Sequence, residues 1–137
     1  MPNIRGRTQP CDALQAQAKL LQAQRFAEAA ALIADEGDVD LLSAAAALAV
    51  LAGIAASDAA CCQALGRRSR GESHHDAEAL LQMITPGGKD AANTLRRLIG
   101  LKDEAHYGFY GVGKRDLKRP TGQASKLIAF AGEVRGR

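Results

Sequence analysis

Tryptophan is absent from this 137-residue chain, and only three phenylalanines and two tyrosines are present. Aliphatic side chains therefore have to supply the core. No run of four to eight alternating β-branched residues occurs, which argues against strands. The three cysteines, Cys11, Cys61 and Cys62, are odd in number and fit neither a disulfide framework nor a zinc site. Neighbouring helical residues point about 100° apart, so Cys61 and Cys62 read as buried, reduced thiols. Met1–Pro10 holds no apolar leader segment. The apolar run Leu41–Ala56 is 16 residues, half of them alanine, and stops at Ser57 and Asp58. A spanning helix needs about 20 apolar residues. The expectation is a cytoplasmic protein with a buried apolar helix and no membrane contact. Gly111-Val112-Gly113-Lys114 lacks the frame of a phosphate loop, and no strand precedes it. Nothing points to a cofactor or a metal.

What is present is alanine- and leucine-rich helix, in a chain long enough for one domain with a core of its own. Residues 1–9 read as a flexible basic arm and 10–137 as one helical domain. The first helix is predicted over Pro10–Ala34, with Leu14, Ala18, Leu21, Phe26, Ala29 and Ile33 on its apolar face. The second runs from Asp38 to Leu65, stopped by Gly66, and its small residues suit the centre of a bundle. Asp58 interrupts that apolar helix and has to reach solvent or a neighbouring donor. A third helix starts at Ser73-His74-His75-Asp76, which resembles a capping box, and ends near Ile84. Thr85-Pro86-Gly87-Gly88 breaks the pattern. A fourth covers Lys89–Leu101, and a last one Thr121–Val134. The fold class is all-α, an antiparallel up-and-down bundle of about five helices.

Charge is unevenly spread. Residues 1–66 carry four basic and seven acidic side chains; residues 67–137 carry fourteen basic and eight acidic. The second part suits a phosphate-bearing partner. Its clusters are Arg67, Arg68 and Arg70, then Lys114, Arg115, Lys118 and Arg119, then Arg135 and Arg137. Such cations contact nucleic-acid backbone without sequence preference and in a salt-sensitive way. His74 and His75 read as capping and exposed residues, since no further ligand spacing accompanies them.

The densest chemistry is Lys102-Asp103-Glu104-Ala105-His106-Tyr107. Lys102 and His106 stand four residues apart and share a helical face. An imidazole moves protons near neutral pH, and an ammonium steadies charge on phosphate oxygens. This segment, with Ala52–Ala59 upstream, resembles the HEPN superfamily (higher eukaryotes and prokaryotes nucleotide-binding domain), one branch of which has Arg-x-x-Ala-Asp-Tyr here. The resemblance follows helix order over about residues 10–134 and is specific around 52–62 and 101–108. It implies a homodimeric bundle and, in many members, a metal-independent ribonuclease of a toxin or defence type. In such an enzyme a ribose 2′-hydroxyl attacks the adjacent phosphate. Lys102 would then steady phosphate, His106 would transfer a proton, Asp103 and Tyr107 would flank the pair, and Asp58 would support it from the second helix. The ribonucleases place four to six residues between Arg and His; Lys102 has three, and lysine cannot make arginine's two-pronged contact. The alternative is a non-catalytic module that binds a nucleotide or a partner protein, such as a nucleotidyltransferase or an antitoxin.

Overall fold

The computed structural model describes residues 8–70, 74–102 and 113–137. Five helices account for most of them: α1 (Ala13–Glu36), α2 (Leu42–Leu65), α3 (His74–Gln82), α4 (Gly88–Lys102) and α5 (Lys114–Arg135). The all-α bundle predicted from the sequence is therefore present. A two-stranded antiparallel ribbon, β1 (Thr8–Pro10) with β2 (Arg67–Ser69), is added at one end. Thr8 and Gln9 thus belong to a strand and not to a loose arm, and Pro10 lies outside the first helix. That helix starts three residues later, at Ala13, behind a cap in which the Asp12 carboxylate accepts from the Gln15 N–H at 2.8 Å and the Gln15 side-chain oxygen accepts from the Asp12 N–H at 2.9 Å. This reciprocal cap satisfies two otherwise unpaired donors.

α2 is the central element. Among its buried residues are Ala45, Ala49, Ala52, Gly53, Ala56, Ala59 and Ala60, which let neighbouring axes come close. A Cβ built on Gly53 would collide with Leu98 of α4 and lie 3.2 Å from Leu127 of α5. The segment Val39–Leu65 is long and apolar enough to cross a membrane, and half of an apolar 18-residue stretch within it is buried inside the bundle. α1 returns antiparallel along α2: Ala30 meets Leu42 and Ala45 at one end, and Cys11 is joined to Cys62 at the other.

That disulfide, with Cα atoms 5.4 Å apart, corrects the expectation of reduced thiols. Cys61 is the free, buried one. The ribbon brings Cys11 within reach, since the Cys11 N–H donates to the Gly66 carbonyl at 2.9 Å. Nothing in the cysteine spacing indicates a pairing made by two three-residue strands.

α5 runs in the same sense as α2. Leu117 packs with Leu42 and Ala46, Ala124 with Ala49 and Ala52, and Leu127 against Gly53. The α3–α4 hairpin provides the return path. α5 also begins at Lys114, seven residues before the predicted start, and continues through Pro120. Proline inside a helix removes one backbone bond. Here the ring is fully buried, and the Thr121 hydroxyl donates to the Leu117 carbonyl at 2.6 Å, so this turn is held by packing and a side-chain bond.

The face of α1 also differs from the predicted one. Ala16, Leu20, Ala23 and Ala30 are buried, whereas Leu14 and Leu21 are exposed. Leu20 goes inward with three alanines, the predicted Phe26 and Ile33 pack half-buried against the core, and Leu14 and Leu21 are left on the outside.

Candidate functional site

Asp103, His106 and Tyr107 lie outside the described residues, and Lys102 is the last residue of α4. What the fold fixes is where that segment leaves and rejoins the bundle. Leu101 and Pro120 both line one apolar groove of about 420 Å³. Its floor is α2, through Ser43, Ala47, Val50, Leu51 and Ile54, and His74 at the start of α3 closes one side. These α2 positions recur at helical spacing, so they form one stripe. Asp58 continues the same stripe one turn beyond Ile54.

Asp58 is nearly buried, with 9% of its surface exposed. The Lys19 ammonium of α1 stands 3.9 Å from its carboxylate. Burial pushes the Asp58 carboxyl up to about 6, against the pull of Lys19 and Arg68, which lower it. The pair is too long to offset desolvation fully. A polar pocket of about 350 Å³ adjoins it, between Gln15, Lys19 and Gln22 of α1 and Cys62 and Arg68. The Cys61 thiol is pushed up by burial first and by the Asp58 charge second, so it is a poor nucleophile.

The predicted basic clusters do not converge. Arg67, Arg68 and Arg70 follow the C-terminal end of α2. Arg67 is engaged locally, its Nε donating to the Thr8 hydroxyl at 2.9 Å. Arg115, Lys118 and Arg119 lie toward the opposite end of α2, because Leu117 packs with Leu42. The 24 residues of α2 separate these ends by about 36 Å. Arg137 is structural: it donates to the Pro86 carbonyl at 2.8 Å and sits 5.8 Å from the Phe130 ring.

Arg115, Lys118 and Arg119 are exposed, and with Lys126 they share one outer face of α5. Lys126 was not singled out from the sequence. Its spacing of seven and eleven residues from Arg119 and Arg115 is the signal that finds it once the helix is known to start at Lys114. Gly122 lies in the same line, with open space where its side chain would be. The acidic α1–α2 turn, with Asp35, Asp38 and Asp40 exposed, occupies the end of the bundle where this line begins. His75 is exposed with Glu78 at 3.4 Å, and no group of three metal-ligating side chains occurs among the described residues.

Comparison of the chain with protein-family models, with curated proteins and with solved structures gives no match.

Proposed function

We propose that this is a HEPN-like helical domain that associates with RNA, with the segment from Lys102 to Tyr107 as its reactive centre. The observation that carries the reading is the exposed cationic line Arg115, Lys118, Arg119 and Lys126. It starts two residues after Gly113, where the chain carrying the motif rejoins the described bundle. A row of cations on one helix face suits successive phosphates of a nucleic-acid backbone. In this reading the strand lies along α5. The ribose 2′-oxygen next to the bound phosphate attacks phosphorus, the P–O5′ bond breaks, and His106 moves a proton in that exchange. Lys102 balances charge on the phosphate oxygens.

A second reading is favoured by the apolar groove. A volume of about 420 Å³ floored by α2 suits an apolar side chain of a protein partner, such as a nucleotidyltransferase or an antitoxin. The homodimer implied by the resemblance is compatible with either.

The test is incubation of purified protein with mixed RNA in the absence of metal, beside His106→Ala and Arg115→Glu/Arg119→Glu variants. The expected result is cleavage lost in His106→Ala, and RNA binding weakened with a shallower salt dependence in the double variant. Salt-sensitive binding without cleavage would leave an RNA-binding module. Absence of both would refute the nucleic-acid reading and leave the groove-binding one.

A further inference from the structure

The polar pocket of about 350 Å³ next to Asp58 is lined with donors. Gln15 turns its side-chain oxygen to the Asp12 N–H at 2.9 Å, and Gln22 turns its own to the Lys19 ammonium at 3.4 Å. Each amide is left with its NH₂ group to donate. Lys19 is held loosely, by that contact and by the Asp58 carboxylate at 3.9 Å. Arg68 donates from Nη1 to the Ser69 carbonyl at 3.3 Å, and its other guanidinium nitrogens make no hydrogen bond among the described residues. Successive strand residues point to opposite faces. Arg67 reaches the Thr8 hydroxyl, so Arg68 turns the other way, toward α1. Its register opposite Gln9 and the nearby Cys11–Cys62 bond fix it there.

We propose that this pocket binds the carboxylate of a small organic acid, gripped by Lys19, Arg68 and the amide nitrogens of Gln15 and Gln22. Side chains that offer donors and no free acceptor select a group that only accepts, and a carboxylate matches the planar fork of a guanidinium. Two cations against the ionised Asp58 leave one net positive charge, which one carboxylate neutralises. Ala18 and Cys62 complete the wall, and a short alkyl chain lies against them. Asp58 stands behind Lys19 and acts through it, as a positioning residue. Ionised, it draws the ammonium back. Protonated, below about pH 6, it releases the ammonium to the ligand and leaves two positive charges in the pocket. Among the described residues the groups that act on Asp58 are Lys19 of α1 and Arg68 of β2, with Cys61 of α2 beside it. The Cys61 thiol is neutral throughout this range, so Asp58 is the group that titrates. The pocket lies at the ribbon end of the bundle, away from Arg115, Lys118 and Arg119, and the inference stands apart from the nucleic-acid reading.

The test is an NMR titration of the full chain with butyrate at constant ionic strength, beside butanol and inorganic phosphate, with circular dichroism as the folding control. Butyrate is expected to saturate with a Kd of about 1 mM, moving amide signals of α1 and the ribbon, and butanol to leave them unmoved. Lys19→Met and Arg68→Met should each weaken binding about tenfold. Gln22→Leu, at an exposed position that folding does not need, should weaken it about threefold. Wild type should bind about fivefold tighter at pH 5.5 than at pH 7.5, where butyrate itself stays ionised. Asp58→Asn should give a flat profile and the tighter binding at both values. No saturation by ~20 mM butyrate, binding indifferent to the three pocket variants, or a flat wild-type profile would overturn the proposal. Phosphate binding tighter than butyrate at pH 7.5 would overturn the carboxylate assignment.

Discussion

Reducing the Cys11–Cys62 bond removes the covalent tie between the start of α1 and the last turn of α2. The two cysteines are separated by 51 residues. Closing a loop of that size in the unfolded chain restricts it by an entropy worth about 4 kcal/mol at room temperature. For a domain of this length each kcal/mol moves the melting temperature by roughly 3–4 °C, so reduction is expected to lower it by roughly 12–16 °C. The bond can be removed without a mutation, so no cavity or buried hydroxyl complicates the comparison. The assay is thermal and urea unfolding with and without a dithiol reductant, with thiols counted in denaturant. One thiol, from Cys61, is expected before reduction and three after it. Refutation comes in two forms. Three thiols before reduction would mean that the bond is absent from the protein as isolated. One thiol going to three with unchanged melting would mean that the ribbon and the α1–α2 hairpin hold the unfolded chain no less tightly without it. The same count, made on protein alkylated at cell lysis, bears on compartment, because reducing compartments keep such pairs open.

Two further outcomes follow from packing and charge. Asp58 holds its proton to about pH 6 when folded, against an ordinary value of 3.8. The folded protein therefore binds the extra proton, and this contribution is largest below pH ~4 and falls by about 3 kcal/mol as pH rises to 6. Asp58→Asn should abolish that component and be the more stable protein at pH 7.5 but not at pH 4; unfolding profiles that stay parallel between these values would contradict it. Gly53→Ala should destabilise by about 1–3 kcal/mol, since the new methyl meets Leu98 and Leu127. Gly122→Ala, in open space on α5, should instead stabilise by about 0.5–1 kcal/mol. Denaturant midpoints of the same sign for both would refute the packing argument.

Helix content was legible because each helix carries its own periodicity and stop signals. Gly66 ends α2 with a left-handed backbone at φ 69°, at the stop read from the sequence. The first residues of α5 were not legible, because glycine and proline mark loops on average, and here burial of Pro120 overrides that tendency. The α1 face was misread for a related reason. Periodicity placed Phe26 and Ile33 on the packed side but also Leu14 and Leu21, whereas the alanine-rich partner takes Ala16, Leu20, Ala23 and Ala30. The disulfide depends on a strand pair too short to leave a pattern. For the site, the sequence named Arg115, Lys118 and Arg119 of α5 but not Lys126, and could not separate them from Arg67, Arg68 and Arg70, since distance along the chain says nothing about which end of α2 each group occupies. Asp58 was marked by its chemistry alone, as a carboxylate in an apolar helix, and the Lys19 partner came from the antiparallel return of α1.

The parallel placement of α5 beside α2 has a consequence for how the chain assembles. α1 and α2 are neighbours in sequence, as are α3 and α4, so both hairpins can close through local contacts. The α2–α5 contact joins residues as remote as Leu42 and Leu117. Distant contacts are entropically slow to form until intervening segments are ordered. α5 is thus the helix that completes the bundle, and until it docks the apolar flank of α2 it will cover is open to water and to other chains.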